Sequence, residues 1–168
     1  MPRPPGGDVP APDAWLAALA RIPLLDQPGR TWLYNTCSDI LGLLVGRVTG
    51  APFADVLAAR IFEPLGMVDT AFWVPADKRD RFTTAYRPAP DGGLTVADRP
   101  DGAYSRPPAF ASGAGGLACT ALDWYRFGRM LLDDGRPLLS EAAVRLMTTD
   151  HLTAEQRAAS ALFLEGQG

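Results

Sequence analysis

Three places in the chain carry side chains or backbone able to act on a substrate. The first is Tyr34-Asn35-Thr36, set just ahead of an apolar helical pattern. A phenol can accept a proton once neighbouring cations lower its pKa from about 10, although a tyrosine at a helix start, taken alone, reads as an ordinary half-buried residue. The amide and hydroxyl groups beside it can donate or accept hydrogen bonds. The second is Ser112-Gly113-Ala114-Gly115-Gly116, where missing side chains permit close backbone approach. This run is not a phosphate loop, because it lacks a Gly-Lys-Ser/Thr ending and the single lysine, Lys78, lies far away. The third is the pair Cys37 and Cys119, which have no histidine near them in sequence and read as small buried hydrophobes. His151 is the only histidine. It can neither build a metal site alone nor anchor a Ser-His-Asp triad, and a structural or exposed position is expected. Ser38-Asp39 is read as a helix start, with either residue able to cap.

A serine nucleophile needs a base close to it. No Ser-x-x-Lys occurs in the 168 residues, since Pro75 stands three places before Lys78. No Lys-Thr-Gly or His-x-Gly element follows Gly116. The formal charge of −3, with basic residues scattered along the chain, gives no footprint for nucleic acid. No run approaches the roughly eighteen apolar residues of a membrane helix. With no signal-peptide pattern at the start, a cytoplasmic location is expected. Nothing calls for a metal or another cofactor.

These residues have to be positioned by mainly helical elements. Residues 1–12 are rich in proline and glycine and read as disordered, leaving 13–168 as the folded part. A short helix fits Asp13–Arg21, capped by Asp13. Ile40, Leu41, Leu44, Val45 and Val48 recur at helical spacing, with Gly50 to close the helix. Pro52 opens a second helix striped by Phe53, Val56, Leu57 and Ile61 and stopped by Pro64. A linker this short makes the two an antiparallel or strongly angled pair. Thr83–Tyr86 and Leu94–Val96 flank Asp91-Gly92-Gly93 as a small hairpin. Thr120 and Asp123 suggest a capping box for a helix burying Trp124, Phe127 and Leu131. Ser140 caps a further helix through Met147, and a last one spans Thr153–Ala161.

Three stretches in this order and spacing resemble one family. They are Gln27-Pro28-Gly29-Arg30-Thr31-Trp32-Leu33-Tyr34-Asn35-Thr36, Ile61-Phe62-Glu63-Pro64-Leu65-Gly66-Met67-Val68-Asp69-Thr70, and Ser112 through Asp123. They resemble signatures of class C serine β-lactamases and their penicillin-binding-protein and esterase relatives. The resemblance implies the helical portion of an α/β β-lactamase/transpeptidase-like fold, mainly α with a small hairpin and with most of the sheet outside this sequence. It also implies acyl-enzyme chemistry, in which a serine activated by a lysine attacks a carbonyl. Tyr34 matches the tyrosine that acts as general base. The resemblance implies substrate-lining roles for Asn35, which sits one place before the family's usual Asn, for Thr36, which fills that place, and for Ser112, Gly113, Gly115 and Gly116 at the edge of the cleft. Thr36 stands where the family most often has Asn, which leans towards the esterase-like branch.

Two functional readings follow. In one, the chain is part of a serine hydrolase of small esters or amides, β-lactams and D-Ala peptides included, and is inactive alone for want of the nucleophile. In the other, it is a non-catalytic interaction module that keeps the helical layer. Apolar stripes left uncovered would favour self-association.

Overall fold

The computed structural model describes residues 10–33 and 36–159. Tyr34, Asn35 and residues 1–9 and 160–168 therefore lie outside the described residues, and with them most of the stretch read as disordered and the end of the helix expected at Thr153–Ala161. Six α-helices and one hairpin make up the described chain: α1 (Pro12–Leu19), α2 (Cys37–Thr49), α3 (Phe53–Leu57), β1 (Ala85–Pro88), β2 (Leu94–Asp98), α4 (Ala121–Leu132), α5 (Glu141–Thr148) and α6 (Ala154–Ala159). The expected mainly helical architecture with a small hairpin is what forms.

Local chemistry explains the boundaries. Pro12 occupies the first turn of α1, where its missing N–H costs nothing, so the helix starts ahead of Asp13. Ala11 is the cap residue and Asp13 sits inside the first turn, so the cap read at Asp13 moves two places. Gly50, at φ 67°, closes α2 in the left-handed region. Pro52 then caps α3, which runs on through a wider turn over Ala58–Phe62. The segments Cys37–Thr49 and Phe53–Phe62 meet at 83°, the angled pair expected from the short linker. β1 and β2 pair antiparallel, with Tyr86 opposite Val96 and Pro88 opposite Leu94.

Phe62, Met67, Phe72, Phe110, Ala118 and Met130 form the core. It gathers where the end of the α3 segment, the stretch after it and the strand-like link into α4 converge. Aromatic pairs extend it outwards: Phe53 lies 6.2 Å from Phe72, and Trp15 stacks on Phe110 at 5.6 Å. Two burial expectations fail. Trp124 is 66% exposed, because α4 turns Asp123 and Met130 inwards instead. Cys37 and Cys119 are both exposed: Cys37 starts a helix at its open end, and Cys119 follows the buried Ala118 in extended backbone, where side chains alternate.

Outside this core the packing is thin. Ile40, Leu41, Leu44 and Val48 leave an apolar stripe of α2 exposed, and Leu122, Tyr125 and Leu132 do the same on α4. Among the described residues no single helix is long and apolar enough to cross a membrane.

Candidate active site

The second and third sequence stretches are stitched together around one buried carboxylate. Thr120 caps α4 by accepting the Asp123 N–H at 3.2 Å, half of the expected capping box. The Asp123 side chain does not complete the box. It points away from the cap and accepts the Asp69 N–H at 2.8 Å and the Thr70 hydroxyl at 2.9 Å. Arg126, one turn on, donates to its other oxygen at 2.9 Å and to the Gly66 carbonyl at 2.5 Å. A carboxylate only 1% exposed is thus fully partnered, as burial of a charge requires.

Beside this knot Ala71 and Ala118 form an isolated antiparallel bridge. Each donates its N–H to the other's carbonyl, at 3.1 and 2.8 Å. Asp69 faces outwards and is clamped by the Arg81 guanidinium at 2.9 and 3.0 Å and by Lys78 at 2.7 Å. These cations, Arg81 foremost, hold its carboxyl well below the usual carboxylate range.

The glycine run leads into the bridge and lies against the first turns of α2. Ser112 donates its hydroxyl proton to Asp39 at 2.5 Å and accepts the Ala114 N–H at 3.1 Å. Gly113 sits so close to the Ser38 carbonyl that a Cβ there would overlap it. A Cβ on Gly42 would in turn meet the Gly113 backbone at 3.4 Å. Gly115 has open space around it, and Gly116 turns the chain at φ 90° into the bridge. An apolar-walled cleft of about 640 Å³ runs along the Gly42–Gly46 side of α2, past Phe53, Phe72 and Phe110 to Ala111.

Of the residues the sequence singled out, Ser112 and Gly113 are brought onto α2. Thr36 is its half-buried cap residue, with no side-chain cap bond. Tyr34 and Asn35 fall outside the described residues and immediately precede Thr36 in sequence. Two further capping readings change. Neither Ser38 nor Asp39 caps α2; both sit in its first turn, and Asp39 binds Ser112. Asp123 was taken for half of a capping box and is the buried hub. His151 is exposed, with Nε2 2.7 Å from the Leu146 carbonyl. Among the described residues no group of three or more His, Cys, Asp or Glu is placed to hold a metal ion.

A family model described as Beta-lactamase matches residues 1–163. The chain belongs to the Beta-lactamase family. Within that family it is 43% identical over 166 residues to the uncharacterized protein MT1414 of Mycobacterium tuberculosis, covering 94% of this chain and 41% of that protein. It is 35% identical to the lovastatin esterase of Penicillium rubens over 81% of this chain and 35% of the esterase. The chain therefore spans less than half the length of these curated relatives. EstCE1, a hydrolase with promiscuous acyltransferase activity, superimposes with a TM-score of 0.74 at 24% identity, over 94% of this chain and 45% of that one. A penicillin-binding protein homologue from Pyrococcus abyssi does so with a TM-score of 0.70 at 23% identity, over 89% and 33%. Both have the β-lactamase/transpeptidase-like fold, of which this chain forms a part.

Proposed function

We propose that the chain carries the general-base side of a serine acyl-hydrolase site for small esters, with Tyr34 as the base. The observation that carries this reading is the docking of Ser112 and Gly113 on the first turn of α2, which the Tyr34-Asn35-Thr36 stretch leads into. The close-approaching glycine backbone is thus held on the helix that follows Tyr34 in sequence. Esterase relatives and Thr36 in place of Asn favour an ester over a β-lactam, and the neighbouring apolar cleft suits an apolar acyl group.

Hydrolysis needs an activated nucleophile, and the 168 residues hold no Ser-x-x-Lys. The chain by itself is expected to turn over neither a chromogenic short-chain ester nor a chromogenic β-lactam. Hydrolysis by the chain alone that is lost in Tyr34→Phe would contradict this division of labour. The Burkholderia gladioli esterase EstB is 35% identical to this chain over 130 residues, 68% of this chain and 32% of EstB. Expression together with the part of EstB outside that match is the positive test. Ester hydrolysis is expected to appear in that pair.

The second reading, an interaction module without catalysis, is favoured by the exposed stripe Ile40, Leu41, Leu44 and Val48. It predicts concentration-dependent association and no hydrolysis in either assay.

A further inference from the structure

We propose that Asp39 and Ser112 are positioning residues of this site, a latch that fixes the glycine run on the turn of α2 that follows Tyr34. The proposal rests on the acyl-hydrolase reading above. Its physical case is separate. Ser112 has one proton, and that proton is committed to Asp39 at 2.5 Å. Its oxygen accepts the Ala114 N–H, which bends the run back on itself. The hydroxyl therefore acts through the loop it folds, by setting where the backbone of residues 113–116 lies.

The latch is built at some cost to the helix. Thr36 offers α2 no side-chain cap bond, and the first-turn carboxylate best placed to help is turned to Ser112 instead. The bond joins residues 73 apart, so it holds the run to α2 by a tertiary contact rather than through the local chain. Gly113 and Gly42 give the contact its fit, because a side chain at position 113 would strike the Ser38 carbonyl. With the latch open, the run would keep the Ala71–Ala118 bridge at its far end and the Gly113 packing, but not the bonds that fold it.

The test has two arms. Amide hydrogen exchange of Ala114, Gly115 and Gly116 in the chain alone reads the latch. Exchange is expected to quicken at least tenfold in Ser112→Ala and Asp39→Ala. It should stay near the parent rate in Ser112→Thr and Asp39→Asn, which keep a donor and an acceptor. Unchanged exchange in the alanine variants would overturn the proposal.

Ester hydrolysis by the pair with the EstB segment reads the positioning role. Ser112→Ala should lower kcat about tenfold or more with little change in KM, and Ser112→Thr should recover most of it. An unchanged kcat beside quickened exchange would make the latch structural only and overturn the role. Hydrolysis that survives Tyr34→Phe, or that never appears in the pair, would defeat the underlying reading and the role with it. The exchange arm separates those outcomes from failure of the latch itself.

Discussion

The buried carboxylate of Asp123 accepts the Thr70 hydroxyl at 2.9 Å across 53 residues of sequence. The same carboxylate takes the Asp69 N–H and the Arg126 guanidinium, so one side chain ties the stretch after α3 to α4. Asp123→Ala would leave a hydroxyl, an amide and a guanidinium without their partner. A loss of roughly 2–4 kcal/mol is expected, with Asp123→Asn losing less. Urea unfolding followed by circular dichroism measures it.

Acid should weaken the outer clamp. Arg81 and Lys78 depress the Asp69 carboxyl, so its folded pKa lies below the unfolded value of about 3.9. A depressed carboxyl contributes stability that is present above its unfolded pKa and lost as pH falls towards the folded one. Unfolding midpoints should therefore drop below about pH 4. Asp69→Asn should start lower at neutral pH and lose less over that range.

The glycine run offers an internal control. Gly113→Ala forces a Cβ against the Ser38 carbonyl, a backbone atom that cannot step aside, and about 1–3 kcal/mol of destabilisation is expected. Gly115→Ala meets nothing within 4 Å and should change stability by less than about 0.5 kcal/mol. Thermal melts of the two variants side by side make the comparison.

Gly128 is the converse case. It lies within α4 with no atom within 4 Å of a Cβ position, so its only local effect is the entropy of a helical glycine. Gly128→Ala should stabilise the chain by about 0.5–1 kcal/mol, read as a higher urea midpoint.

Local signals were legible in the sequence and long-range ones were not. Gly50 and Ser140 ended and began helices where their chemistry says they should, and the turn at Asp91-Gly92-Gly93 set the hairpin. The roles of Asp39 and Asp123 were missed because each has a plausible partner within four residues, whereas its actual partner lies 73 or 53–54 residues away. Trp124 was misplaced for a related reason. Helical period gives a stripe, but the Asp123 contacts decide which way α4 turns it. The glycines were found by type alone. That Gly113 must be glycine while Gly115 has room is visible only once α2 is beside them.

The most direct measurement is the rate of chromogenic ester hydrolysis by the chain paired with the EstB segment, compared with the Tyr34→Phe form of the same pair. Loss of a general base should lower kcat by about 10²–10⁴-fold while leaving the pair assembled. Equal rates in the two forms would contradict the assignment of Tyr34 as the base.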